Sequence, residues 1–359
     1  MKLSIKTVVL QEMLSRAVKG AGQNKLIPIT SLMAIQVKDN QLTLITTDAS
    51  NTLYIKYNKP NSEDFYCVVQ VDQFSKLISK MTSENITLTL DGAILTVKGN
   101  GTYKIELPLD ENGEAITYPD PANESGFVGK VHEIDLATVK TILAVNKAAL
   151  ATTADEFVYT GYYIGDEVIS TDTYKICGLN VKLFDEPVLI APETMNLLDV
   201  MTAEKIDVYM QGNVLQFVTD DCIVYGHRMD GIEDYAIDPI MGLLDEPFES
   251  MCKIHRADML ALLDRVGLFV GVYDNKAITL TFTESGIDIS SKQSNGVESI
   301  AYVESDNFKS YTCQINIAEL VNQLKANTAD VVELQYGNEK SIKLVDGDIT
   351  QVIALLEDN

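Results

Sequence analysis

Along residues 73–81, Phe74, Leu77, Ile78 and Met81 recur at helical spacing, with Lys76 and Lys80 on the opposite side. Along 10–19, Leu10, Met13 and Leu14 form the apolar side and Arg16 and Lys19 point away. Arg265 stands opposite Met259 and Leu263, while Lys140, Lys147 and Lys325 flank apolar faces and Lys25 completes the set. Cations ranged along helix faces suit contact with phosphate oxygens, which positions a nucleic acid without reading its sequence. The chain carries 28 Lys and Arg against 52 Asp and Glu, a net charge of −24. That sum opposes a polyanionic partner, but the local placement of the cations decides the question. The helical stretch 193–203 breaks the pattern, since it holds no basic residue.

Other residue types that do chemistry are scattered. His132, His227 and His255 are far apart in the chain, with no HExxH spacing and no nucleophile motif beside them. Cys67, Cys177, Cys222, Cys252 and Cys313 never form CxxC and are odd in number, which fits buried thiols on strands rather than a disulfide framework or zinc site. "KGNGT" (98–102) reads as a hairpin turn, because no GK[ST] follows it. "DENGE" (110–114) clusters carboxylates without the spaced ligands of a calcium loop. No catalytic constellation emerges, so a non-enzymatic protein without a cofactor or metal is expected.

The elements that position these residues repeat. "LSIKTVVLQEMLSRAV" (3–18), "VHEIDLATVKTILAVN" (131–146) and "CKIHRADMLALLDRVG" (252–267) each read as a strand feeding a helix. "CVVQVDQFSKLISKM", "PVLIAPETMNLLDVM" and "TCQINIAELVNQLKA" repeat that phrase, with Asp72, Pro192 and Asn316 near the helix starts. Paired strands follow in each unit, turning at Asp91-Gly92, Gln211-Gly212 and Gly337-Asn338 as two-residue hairpins. A further phrase, Thr47-Asp48, recurs at Thr171-Asp172 and Ser291-Lys292, where short polar side chains bond nearby backbone and turn a strand. Three α+β domains are expected, 1–124, 125–247 and 248–359, with linkers near 120–126 and 243–250. No apolar run approaches the roughly 18 residues that cross a bilayer, and the N-terminus lacks a signal-peptide pattern, so a cytoplasmic setting is expected.

"KLIPITSLMAIQVKDNQLTLITTDASNTLYI", "ISTDTYKICGL" and "DGIEDYAIDP" resemble successive parts of the bacterial beta-type DNA polymerase sliding clamps, the DNA polymerase III beta subunit family. The resemblance implies the DNA clamp fold. Two three-domain protomers would close head to tail around duplex DNA, with helices lining the hole and sheets outside. The helix cations would then face the DNA and the acidic remainder would face outward.

The same resemblance implies a peptide pocket for polymerase and clamp loader. It assigns to that pocket Tyr159, Thr171, Thr173, Tyr174, Lys175, Ile176, Ile237, Val352, Ala354 and Leu356. Thr173 and Tyr174 stand where the family usually has Gly and His, and Ile237-Asp238 replace a basic–apolar pair. The tail "ALLEDN" is acidic where the family's is apolar with a basic residue. These departures suit a clamp serving its own polymerase, such as a phage-encoded one. For the dimer joint, the resemblance sets Leu268 and Phe269 against an edge strand carrying Tyr103 and Ile105. The rival expectation is an acidic repeat protein that binds other proteins or mimics DNA.

Overall fold

The computed structural model describes the chain except residues 23, 25, 59–62, 122–129, 272–274, 292, 294 and 357–359, and the side chains of 154–156. By contacts it divides into two compact units. One comprises Met1–Val139 with Glu193–Arg228, the other Lys140–Pro192 with Met229–Asn359. The sequence repeats divide the chain differently, because residues of the middle repeat enter both units.

Within the first unit, strands Lys2–Lys6, Asn85–Asp91, Ile94–Lys98 and Thr102–Glu106 form a four-stranded antiparallel sheet in that order. Alternation sends Leu3, Ile5, Ile86, Leu88, Leu95 and Val97 inward, as a sheet covered on one face requires. An eight-stranded sheet runs from Phe65–Gln70 through Leu32–Lys38, Gln41–Thr47 and Thr52–Asn58 to Cys222–His227, Val214–Val218, Lys205–Gln211 and His132–Asp135. Its centre pairs Ile55 with Cys222 and Tyr54 with Ile223, joining strands that the sequence assigns to different repeats. Helices Thr7–Ala17 and Val71–Ser79 pack together, and Gln11 Nε2 donates to the Ile78 and Met81 carbonyls at 2.9 and 3.0 Å.

The second unit repeats this plan. Four strands, Val297–Ala301, Gly286–Ser291, Ala277–Phe282 and Tyr311–Asn316, make one sheet. A nine-stranded sheet pairs Lys175–Leu179 with Ile349–Ala354, matching Ile176 to Val352. Helices Arg256–Gly267 and Ile317–Ala326 share one apolar core around Met259, Leu263, Leu320 and Leu324. Asn316 caps the latter helix, its Oδ1 accepting from Ala318 N at 2.9 Å, as its position in the sequence suggests.

The local expectations fare unevenly. The first two hairpins turn at Gly92-Ala93 and Gly212-Asn213, one residue later than read, with the glycines at φ 54° and 57°. Such a φ suits glycine and sets the turn. The third is not a two-residue hairpin: regular pairing stops at Gln335 with Lys343, leaving a longer loop around Gly337. The expected 243–250 linker is largely absent, because helix Ile237–Asp245 runs into it and Ser250 already starts a strand. Part of the 120–126 linker lies outside the described residues. The five cysteines are all buried on strands, and burial pushes each thiol up to about 12. Among the described residues, no helix is long and apolar enough to cross a membrane.

Candidate nucleic-acid and partner interfaces

The two copies of the strand–turn phrase fold as the same turn. Thr47 Oγ1 donates to Asn51 O and accepts from Ala49 N, and Asp48 Oδ1 accepts from Ser50 N and Asn51 N. Likewise Thr171 Oγ1 donates to Lys175 O and accepts from Thr173 N, and Asp172 Oδ1 accepts from Tyr174 N and Lys175 N. The turns differ in what they present outward. In the second, Tyr174 is 70% exposed, while Lys175 folds back, 93% buried, onto Asp172 and Glu319. Thr171 is buried within the turn, so neither Thr171 nor Lys175 offers a group to a partner. In the third copy, Lys292 lies outside the described residues.

The remaining pocket residues divide in two. Ile176 and Val352 belong to an apolar cluster with Ile169, Leu189, Tyr235, Ile240 and Leu244. Tyr159 and Ile237 lie half-buried against it, as do Tyr163 and Met241. Tyr235 sits between two rings, stacked on Tyr163 and edge-on to Tyr159, with centroids 5.0 Å away in both cases. Ala354 N donates to Tyr174 O at 2.8 Å, fastening the last strand to the turn. Leu356 leaves this cluster, its N–H going to Gln314 O at 2.9 Å. The acidic tail end, 357–359, lies outside the described residues.

Tyr163, Tyr235 and Met241 escaped the sequence reading, although Ile237, Ile240, Met241 and Leu244 recur at helical spacing within "IDPIMGLLD".

The expected phosphate-facing cations also divide. Lys19, Lys80, Lys140, Lys147 and Lys325 are exposed. Lys76 is exposed too and pairs with Asp72 one helical turn back at 2.8 Å. Lys19 lines a groove of about 770 Å³ with Asp72 and Ser75, and Lys76 lines the adjoining one, so these two cations come together at the Thr7–Ala17 and Val71–Ser79 helices. Lys25 lies outside the described residues.

Arg16 corrects the sequence reading. It turns inward, with Nε donating to Val200 O at 2.8 Å and Nη1 reaching Asp221 at 2.7 Å. Its side chain is only 12% exposed, because a bidentate guanidinium satisfies two remote acceptors at once. Burial favours the neutral forms of Arg16 and Asp221; their hydrogen bond and charges prevail, raising the arginine and lowering the aspartate. Arg265 is exposed but doubly bonded to Glu298 at 2.8 and 2.5 Å, so its charge is locally matched. Both partners lie far away in the sequence, where helical periodicity could not show them.

Of the joint residues, Leu268 and Phe269 are 82% and 56% exposed. Phe269 lies against Gly296, where an added Cβ would sit 2.8 Å from its ring, next to exposed Val297. That contact puts the apolar pair beside edge strand Val297–Ala301, which the sequence reading missed. Tyr103 is partly exposed on edge strand Thr102–Glu106, whereas Ile105 is 96% buried beneath it. Ile105 therefore belongs to the core and not to a surface, paired across the sheet with buried Leu95.

Residues 1–115 match the family described as "DNA polymerase III beta subunit, N-terminal domain". Beta sliding clamps of Staphylococcus epidermidis are 20% identical over an alignment of 381 residues that covers 98% of this chain and 98% of theirs. Among solved structures, the DNA polymerase sliding clamp of Bacillus subtilis superposes with a TM-score of 0.84 at 15% identity, and the beta subunit of Streptococcus pyogenes DNA polymerase with 0.85 at 16%. Both comparisons cover each chain in full and establish the fold. The first 115 residues thus match the N-terminal domain of the DNA polymerase III beta subunit family, and the whole chain is similar end to end to curated beta sliding clamps and carries their fold.

Proposed function

We propose that this clamp is a polymerase processivity factor whose three repeats, 1–124, 125–247 and 248–359, act as clamp domains in a head-to-tail homodimeric ring. The observation that carries the reading is a pair of open sheet edges. Strand Thr102–Glu106 ends one four-stranded sheet, and strand Val297–Ala301 ends the other. Each is five residues long and carries unpaired backbone groups, which pair readily with another strand. Exposed Leu268, Phe269 and Val297 beside one edge, and Tyr103 on the other, supply apolar surface for such a joint. Edge meeting edge between two copies is a heterologous contact, which closes only as a ring or runs on as a filament.

Around duplex DNA, Lys19, Lys76, Lys80, Lys140, Lys147 and Lys325 would contact phosphates loosely. Contacts to phosphate alone fix no register, so the ring could slide while topology prevents its escape. The Tyr159–Ile176–Ile237–Val352 surface would hold polymerase and loader segments, apolar side chains being the usual anchors of such motifs.

Light scattering and electron microscopy at micromolar concentration, followed by loading onto nicked circular DNA, test the reading. Rings of two chains that stay on circular DNA and run off once it is linearised are expected. Compact monomers, or binding indifferent to linearisation, would overturn it and favour an acidic protein-binding module.

A further inference from the structure

The rim of the apolar surface just described is strongly and asymmetrically charged. Residues 229–249 carry seven carboxylates and no Lys or Arg. Asp230, Glu233, Asp234, Asp238 and Asp245 are exposed around half-buried Ile232, Ile237 and Met241. Asp166 and Glu167 approach from the neighbouring turn. The Tyr163 hydroxyl is held above its ordinary value first by burial and then by Asp166 and Asp238. Glu167 is raised by burial, then by Asp245 and Asp166. The rim carboxylates thus lie close enough to repel one another.

Few cations answer them. Lys182 pairs with exposed Asp166 at 2.9 Å, and Lys309 pairs with Glu249 at 2.5 Å. Lys343, buried beneath the segment, donates to the main-chain carbonyls of Leu244 and Glu246 at 2.7 Å. Lys175, on the adjoining turn, is taken up by Asp172 and Glu319.

At the floor, the Tyr235 hydroxyl is buried with no hydrogen-bond partner among the described residues, flanked by the Tyr159 and Tyr163 rings. An unmet buried hydroxyl costs on the order of 1–3 kcal/mol, which a segment docking between those rings could relieve.

Resting on the partner-surface reading above, we infer that this surface takes a basic linear segment of a partner polypeptide. Its apolar side chains would seat on Tyr159, Tyr163, Ile237 and Met241, and its flanking Lys or Arg would lie over Asp166, Glu233, Asp234 and Asp238. Nucleic acid is repelled by such a rim. Steering and specificity, more than raw affinity, are what such a rim contributes.

Three labelled peptides with the same Leu and Phe anchors, flanked by Lys, Ser or Glu, test this by fluorescence anisotropy with the full-length protein. The Lys-flanked peptide should bind on the order of tenfold tighter than the Ser-flanked one at low salt, and the Glu-flanked one weakest. The gap should close near 0.5 M salt, where charges are screened beyond about 4 Å. Glu233→Gln with Asp234→Asn and Asp238→Asn should erase the Lys preference while leaving Ser-flanked binding in place. Ile237→Asp should weaken all three peptides, with an unchanged circular dichroism spectrum excluding misfolding. Equal binding of all three, still sensitive to Ile237→Asp, would overturn the charge inference and leave the partner surface standing. Absent binding, or binding indifferent to Ile237→Asp, would overturn both.

Discussion

Lys175 Nζ lies 2.7 Å from the Glu319 carboxylate, and Asn51 Oδ1 accepts from the Thr194 hydroxyl at 2.6 Å. These contacts are counterparts. Lys175 follows Asn51 by 124 residues and Glu319 follows Thr194 by 125, so each joins a strand–turn phrase to the start of the next repeat's second helix. One joint uses a buried neutral bond and the other a buried ion pair. The exchange alters what each joint tolerates, because an ion pair that loses one member strands a charge.

Lys175→Met would leave Asp172 and Glu319 facing each other with no cation between them. A loss of about 2–4 kcal/mol in denaturant unfolding at pH 7 is expected. Burial acts to lower the Lys175 pKa, but the Asp172 and Glu319 bonds outweigh it and hold the value raised. The stabilisation is therefore complete below about pH 10.4, the unfolded value, and is lost as pH rises through the higher folded one. Wild type should lose this increment at strongly alkaline pH and the variant should not. Parallel curves for the two proteins would remove the ion pair from the account.

Asp221 gives the opposite dependence. Burial raises its pKa, yet Arg16 and Thr219 bond the carboxylate and hold it lowered. Its contribution is present above the unfolded value of about 3.9 and disappears as pH falls through the folded one. Asp221→Asn, which leaves Arg16 partly buried without a counter-charge, should cost about 1–3 kcal/mol at neutral pH. It should also flatten the acid limb of stability below the unfolded value of about 3.9. An unaltered acid limb would mean that other carboxylates govern it.

What the sequence discloses here follows from range. Strand alternation and helix periodicity are local, so all three repeats and their strand–helix order could be read from them. The Thr-x-x-x turns were legible for the same reason, since Thr171 and Asp172 bond residues within four positions. Arg16 was misread because its acceptors, Val200 and Asp221, are 184 and 205 residues away. Arg265 met Glu298 on a strand that no motif marks. Tyr103 and Ile105 share one face of their strand, yet one is exposed and the other buried, and how far cover extends along that face is set by residues remote in sequence.

Phe269 and Ile105 should therefore part company under mutation. Phe269→Lys alters an exposed side chain and should dissociate the proposed dimer in sedimentation at micromolar concentration without moving the thermal midpoint of the monomer. Ile105→Ala removes core volume and should cost about 2–5 kcal/mol whatever the oligomeric state. A stable dimer carrying Phe269→Lys would exclude this face from the joint.

Lys76→Glu combined with Lys80→Glu should shorten retention on circular DNA at low salt and make it less sensitive to added salt, because two fewer phosphate contacts release fewer counterions. The thermal midpoint should hold, since both residues are exposed and the Lys76–Asp72 pair is worth less than about 1 kcal/mol. Arg16→Ala should do the reverse, lowering stability with little effect on DNA beyond that. Unchanged retention in the double lysine variant would remove these helices from the DNA face.

Thr173 holds φ at 74°, and its counterpart Ala49 at 84°. A left-handed backbone costs a residue with a Cβ about 1–2 kcal/mol, and a branched side chain is the worst placed. Glycine would remove that strain and give back about 0.5–1 kcal/mol through its freer unfolded chain. Thr173→Gly should therefore stabilise the protein by roughly 0.5–1 kcal/mol, with Ala49→Gly gaining less, since alanine is unbranched. The Thr173 N–H would still donate to Thr171 Oγ1, so the turn itself survives the change. Chemical denaturation of the two variants separates the effects. A destabilised Thr173→Gly would mean that the threonine side chain contributes more to this turn than its backbone strain takes away.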